Sequence, residues 1–441
     1  MQTRWKPFFY AAVAATLAVT VAIGGGCATA ESPDEETEEG VSEVRAQVAG
    51  AELLGASYDA WKARFRERAD AWKRIEPRTE VGRMPVASAD DPSLGIDYIF
   101  IPAAARATNL VVMSSGIHGV EAPAGVLFQD TLLGDCAATS TFDRSETAIL
   151  VIHAMNPSGA KYGRRFNASN VDLNRNFFDA ESNGGAAFAG HRIVNQEYRD
   201  LRHLLEGGRI SIIDIAAAWV RHGSDAMNKA LSGQYEFPEG VYFGGHEVQP
   251  EAVAVQRLVL RVAAPFKNMA VIDMHTGLGK QGINQIMRNP LPAGASPELS
   301  SAYEREAKML TAMFPEAECR GLCEVQGLSS AGDGEEISDA FTTTGDITQW
   351  FHDRFADKRT AGTVISVTSE IGTSSARKVL EALVDENYCH HERAACGERQ
   401  YAKDVTRLRG YFNPGDRAWQ ENVVRASHQM CTALGRFADE R

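Results

Sequence analysis

The stretch NLVVMSSGIHGVEAPAG, residues 109–125, carries two signals in succession. It opens on a short apolar run that is closed by Gly116, the pattern of a strand buried on both faces and followed by a turn. His118 and Glu121 come directly after it, three residues apart, among Gly116, Gly119 and Gly125. Similar runs recur. Ile96 to Ile101 alternates. Ala148 to Ala154 (AILVIHA) is closed by Asn156-Pro157, and Met269 to Met274 (MAVIDM) is stopped by Gly277. Thr363 to Thr368 (TVISVT) leads into Glu370-Ile371-Gly372. Helical spacing marks Tyr58 to Lys73, Pro123 to Leu133, His191 to Leu205, Ile212 to Ala230, Glu251 to Val262, Leu299 to Phe314 and Pro414 to Phe437. Buried strands alternating with helices predict an α/β fold, one sheet covered on both faces. Phe178 to Gly190 and Gln326 to Gly345 read as surface loops, and no linker follows residue 45. One large domain is expected over residues 46–441.

The chain has 441 residues, 44% hydrophobic and 23% charged, which describes a globular protein. Its net charge of −13 argues against a nucleic-acid binder, which needs a basic face. Part of that charge belongs to one segment. Glu31, Asp34, Glu35, Glu36, Glu38 and Glu39 crowd residues 31–40 with no apolar residue to bury, so residues 27–45 read as an acidic, disordered tether. Residues 1–26 have a basic start at Arg4 and Lys6, an apolar run from Phe8 to Ile23, and Gly24 to Gly26 before Cys27. This is the order of an export signal, and the small residues ending in Cys resemble the lipoprotein type. The expected location is the bacterial cell envelope, with a membrane anchor through lipidated Cys27, or else the periplasm or the medium as a secreted protein. The remaining cysteines are Cys136, Cys319, Cys323, Cys389, Cys396 and Cys431. Cys319–Cys323 and Cys389–Cys396 are the natural local disulfides. Cys389-His390-His391 could look like a metal cluster, but export favours a disulfide.

Three polar clusters follow apolar runs: His118-Gly119-Val120-Glu121, Asp273-Met274-His275, and Glu370. In open α/β sheets, sites gather beyond the carboxyl ends of the strands. His118 and Glu121 on one turn, with His275 from afar, make a His₂Glu set, one of the catalytic zinc combinations. One zinc ion would lower the pKa of its water to about 7, leaving Glu370 to take the proton. His-x-x-Glu alone is weak, since exposed helices carry it by chance; its place after a buried strand strengthens it. Residues 153–178, HAMNPSGAKYGRRFNASNVDLNRNFF, add Arg164, Arg165, Asn174 and Arg175 behind an Asn-Pro turn. A forked guanidinium binds carboxylate, and a fixed cation polarises a carbonyl. The plainer alternative, a solvated basic face, does not explain the Asn-Pro turn or VDLNRNF.

These strings together resemble the zinc carboxypeptidase superfamily, and more closely a bacterial branch of unassigned function related to the aspartoacylase-like deacylases. SSGIHGVEAPAG (114–125), VIHAMNPSG (151–159), RRFNASNVDLNRNF (164–177), GVYFGG (240–245), DMHTGLG (273–279) and SEIGT (369–373) follow the family order. The resemblance implies a carboxypeptidase-like mixed β-sheet with helices on both faces. It also implies His118, Glu121 and His275 as zinc ligands and Glu370 as general base. Asn174 and Arg175 would hold the substrate carboxylate, and Arg165, or else Arg164, would polarise the scissile carbonyl. The function implied is hydrolysis of an amide bond in a small peptide or acyl-amino-acid substrate with a free carboxylate. Deacylation of N-acyl amino acids, or a non-catalytic zinc-bound envelope module, are the alternatives. No protein partner is expected. His153 reads as a buried core histidine, His246 as exposed, and Trp61, Trp72 and Trp219 as packing. Asp273 alternates onto the face of His275 and is a candidate to orient it.

Overall fold

A computed structural model describes residues 50–86, 91–139, 142–180, 193–291, 294–326, 343–356 and 362–439. The signal, Cys27 and the whole tether lie outside the described residues, as do 181–190 and 327–342 of the two expected loops. Residues 45–441 make one compact unit.

Eight strands form one sheet: β1 Glu80–Pro85, β2 Gly95–Ile101, β3 Asn109–Ser115, β4 Thr147–His153, β5 Asn268–Gly277, β6 Asn284–Arg288, β7 Cys323–Val325 and β8 Val364–Gly372. Their order is β1-β2-β4-β3-β5-β8-β6-β7. The central four, β4-β3-β5-β8, are parallel. β2 joins β4 antiparallel, and β6 joins β8 antiparallel. The sheet is therefore mixed, with parallel strands at the centre where both faces are covered. Every residue of β3 and β4 is buried, which is why their sequences read as apolar runs.

Ten longer helices accompany the sheet: α1 Tyr58–Ile75, α2 Ala122–Thr131, α3 Gln196–Leu205, α4 Ile212–Leu231, α5 Pro250–Ala263, α6 Pro297–Met313, α7 Ile347–Phe355, α8 Ala376–His391, α9 Glu398–Phe412 and α10 Arg417–Asp439. Alternation along the strands divides the core. Val111 and Met113 face one layer with Phe65, Trp72, Phe128, Trp419 and Val423 from α1, α2 and α10. Leu110 and Val112 face the other, with Val255, Val259, Trp350 and Phe351 from α5 and α7. α1 shows why its sequence is helical. Ser57 caps its first turn, and Tyr58, Trp61, Phe65, Ala69 and Trp72 make one buried stripe at three- and four-residue spacing. Trp72 Nε1 donates to Leu133 O at 2.9 Å, so its polar atom is satisfied within the core.

Two boundaries differ from the sequence reading, and both matter. β5 continues through His275 to Gly277, and β8 through Glu370 to Gly372. His275 and Glu370 thus sit inside the strands as ladder partners rather than on loops after them. The strands β1, β6 and β7, at the two ends of the sheet, and the helices α7, α8 and α9 had no clear signature; β6 and β7 are five and three residues long.

Three disulfides are formed: Cys136–Cys431, Cys319–Cys323 and Cys389–Cys396. The two local pairs are those expected, and Cys389 belongs to a disulfide rather than a metal cluster. Such bonding suits an extracellular or periplasmic protein. Among the described residues no helix is long and apolar enough to cross a membrane.

His153 is buried on β4, stacked 4.6 Å from Phe65, with Nδ1 3.0 Å from Gln129 Oε1. Burial lowers its pKa to about 3 from the ordinary 6.5. Between those values the unfolded chain takes a proton that the fold refuses. Stability therefore falls as pH drops from about 6.5 toward 3, by up to about 1.4 kcal/mol per pH unit from this group. Denaturant titrations across that range should show the slope, and His153→Gln should flatten it.

Candidate metal centre

The turn after β3 is built by backbone constraints. Gly116 adopts φ 64°, the left-handed region that favours glycine. Gly119 lies so close to Gly159 that a Cβ there would come within 2.1 Å of Gly159 C. Gly119 N–H and Val120 N–H donate to Arg165 O and Arg164 O. The turn carrying His118 and Glu121 is thereby tied to the segment carrying the arginines. Asn156 completes the tie: its Oδ1 caps the short helix Pro157–Tyr162, and its Nδ2 donates to Arg165 O at 3.0 Å.

His118, Glu121 and His275 converge. One ligand atom from each lies within 4.8 Å of the others, and all three side chains are buried. His118 Nδ1 is 3.0 Å from Glu121 Oε1 but outside hydrogen-bond geometry, so this buried nitrogen has no hydrogen-bond partner. His275 Nδ1 is 3.0 Å from Glu121 Oε2. On the far side of each ring a carboxylate is in place. Asp273 Oδ2 is 2.7 Å from His275 Nε2, and Asp172 Oδ1 is 3.0 Å from His118 Nε2. A carboxylate holding the Nε2 proton leaves Nδ1 with a free lone pair, the tautomer a metal requires. The three residues could hold a metal ion, and the two-nitrogen, one-carboxylate donor set suits zinc.

Asp273 is itself fixed by Ser114 Oγ, which donates to Oδ1 at 2.6 Å. Asp273 therefore meets the His275 ring on the face where alternation put it. Asp172 was not singled out in the sequence, although it sits in VDLNRNF. The signal was an acid next to Asn174-Arg175, but its partners come from elsewhere in the chain. Asp273→Asn should weaken metal affinity about 10- to 100-fold, measured by competition with a chelating dye, with the fold intact.

The two carboxylates near the centre are driven apart. Glu121 pays a desolvation penalty, yet the facing His118 and His275 outweigh it and hold its carboxyl well below the usual range. Burial, and then the charge of Glu121, raise Glu370 to about 7. Its Oε1 accepts the Leu278 N–H at 2.9 Å. One carboxylate committed to charge beside one that can exchange a proton near neutrality is the division of labour that acid–base chemistry uses.

The arginines separate. Arg165 reaches the centre: Nε donates to Asp172 Oδ2 at 3.0 Å, Nη1 lies 3.2 Å from Glu121 Oε1, and Nη2 2.7 Å from His118 Nε2. Arg164 turns the other way, to Glu386 Oε1 at 2.8 Å and Asn387 Oδ1 at 2.9 Å on α8. It is a buried structural ion pair, and the structure does not bring it to the centre with Arg165. Arg175 is buried; Nη1 donates to Asn174 O at 2.9 Å, while Nε has no partner. No carboxylate pairs with it among the described residues. Asn174 Oδ1 accepts the Ile347 N–H at 3.0 Å, which leaves its Nδ2 to donate elsewhere.

The fold and centre are those of a mixed α/β protein with a buried His–Glu–His set at the carboxyl ends of its parallel strands. The family described as "Protein of unknown function (DUF2817)" matches residues 55–426, and the chain belongs to that family. No curated protein matches it. Solved structures to which it is similar include the following three. Bovine thrombin-activatable fibrinolysis inhibitor in complex with tick carboxypeptidase inhibitor is 14% identical, over 87% of this chain and 96% of that one, with a TM-score of 0.46. Carboxypeptidase A from Helicoverpa armigera is 14% identical over 80% and 73%, TM-score 0.43. A metallo-carboxypeptidase from Burkholderia cenocepacia is 11% identical over 84% and 67%, TM-score 0.42. The likeness is distant.

Proposed function

We propose that the protein is a zinc-dependent hydrolase of carboxypeptidase type, cleaving an amide bond in a small substrate that carries a free carboxylate. The observation that carries this reading is the unpartnered Nδ1 of buried His118, facing Glu121 and His275 with Glu370 alongside. Zinc held by His118, Glu121 and His275 would supply Lewis acidity and a water acidified to about pKa 7. Glu370 then takes the proton of the attacking water and passes it to the leaving nitrogen. Arg165, beside Glu121 and His118, faces the developing oxyanion with a fixed positive charge. Arg175 and the free Nδ2 of Asn174 grip the substrate carboxylate.

The decisive experiment is a zinc-loaded protein assayed on two panels, peptides with free C-termini and N-acyl amino acids. Hydrolysis on either panel, abolished by chelation and restored by zinc, is the expected result; the favoured panel names the substrate class. Zinc binding with no turnover on both would point to a binding module. The protein is further proposed to be exported and anchored to the envelope through lipidated Cys27. Mass spectrometry finding an unmodified Cys27 in the mature protein would remove the anchor.

A further inference from the structure

Tyr242 lies in GVYFGG, between Val241 and Phe243, both buried in the core. Its backbone is left-handed, φ 57°, although it is a bulky aromatic residue. Glycine adopts that conformation freely, and two glycines follow it; a tyrosine there is held against steric resistance. The local hydrogen bonds do the holding. Gln234 N–H donates to Tyr242 O at 3.0 Å, Gly244 N–H returns to Gln234 O at 2.8 Å, and Gln234 Nε2 donates to Phe237 O at 2.8 Å. The reversal keeps Val241 and Phe243 in the core, and the half-buried tyrosine packs at the margin of the cluster that holds Val241. Backbone strain kept at a non-glycine position is found where it serves a site.

What the ring meets is Arg165. Its centroid lies 5.3 Å from the Arg165 Cζ, within cation–π range. Two edges of that guanidinium donate to Asp172 and Glu121, and Nη2 lies against the His118 ring. The edge contacts set where the guanidinium lies, and a ring packed on its face adds a restraint against tilting about the line that joins them. The Tyr242 hydroxyl makes no hydrogen bond among the described residues, so the ring, not the hydroxyl, is the anchored part.

We propose that Tyr242 is a positioning residue: its ring, fixed by the left-handed turn, sets the plane of the Arg165 guanidinium at the centre. The catalytic consequence rests on the hydrolase reading above; the positioning does not. An oxyanion stabiliser acts only if aimed where charge develops, and misplacement by about 1 Å can cost on the order of 10²-fold in rate.

The test uses Tyr242→Gly and Tyr242→Phe in the full chain. Glycine removes the ring and suits the backbone, so relief of the left-handed strain offsets part of the lost packing and metal content should be maintained; phenylalanine keeps the ring. In ¹⁵N–¹H spectra, the Arg165 Nε–H signal, assigned by its loss in Arg165→Lys, should stay sharp in Tyr242→Phe and broaden in Tyr242→Gly. This readout needs no substrate. An unchanged signal in Tyr242→Gly, or a broadened one in Tyr242→Phe, overturns the proposal whether or not the protein is a hydrolase. With a substrate in hand, Tyr242→Gly should lower kcat about tenfold or more with KM little changed, and Tyr242→Phe should stay within about threefold. In an Arg165→Ala background the glycine variant should cost nothing further, since the tyrosine acts through the arginine. Additive losses overturn the proposal.

Discussion

Glu370→Gln is expected to lower kcat by at least about 10²-fold, while zinc content and melting temperature stay as in the wild type. The substitution is nearly isosteric, and the amide oxygen can keep the hydrogen bond from Leu278 N–H. It removes only the ability to take and return a proton. The proton-accepting form of Glu370 is reached as pH rises through its pKa, about 7 in the metal-free protein. A bound cation beside it favours the ionised form, so the acidic limb of the kcat/KM profile should lie below that value in the zinc-loaded enzyme. The limb should vanish in the residual activity of Glu370→Gln. A variant with full activity would remove Glu370 from the mechanism and leave the metal reading standing.

Arg175→Met should produce the second large effect, and stability should move the other way. The Arg175 head group is buried, with Nε unpartnered and no ion pair among the described residues, and Asp172 acts on it only through space. A buried cation offset only by a carboxylate it does not touch adds little to the fold, so an apolar side chain of similar length should hold the melting temperature or raise it. Against a free-carboxylate substrate, kcat/KM should fall by about 10²-fold or more, the scale of a lost charge-assisted clamp. The same substrate with its carboxylate amidated should be affected little. Equal losses on both would show that Arg175 supports the fold and does not read the carboxylate. Gains in stability with losses in function are the usual sign of a residue kept for its site.

The parts of this protein legible in the sequence are those with strong local physics. β3, β4 and β5 are buried on both faces, so their apolar runs announce them, and α1 shows a stripe whose caps and spacing agree. His118, Glu121 and Glu370 were recognisable because each stands at or just after such a run, and His275 because alternation places it with Asp273. The rest depends on contacts that sequence distance hides. Nothing local distinguishes Arg164 from Arg165; their fates diverge because Glu386 waits for one and Asp172 and Glu121 for the other. Asp172 is 54 residues from the histidine it holds. β6 and β7 are short strands that owe their existence to pairing with neighbours, not to their own pattern. The Cys136–Cys431 bond spans 295 positions and could not be chosen over other pairings without the fold.

That bond turns most of the chain into a covalent ring. Arg165, Arg175, His275 and Glu370 lie on it, whereas His118 and Glu121 sit on the arm outside. A protease that cuts one peptide bond anywhere within the ring opens it without releasing a fragment. The two new ends remain joined through the sulfurs at α10, so the site's two halves are never free to diffuse apart. A nicked molecule should therefore migrate as a single species on a non-reducing gel and divide only once reductant is added. That architecture converts a cut from an ending into a scar.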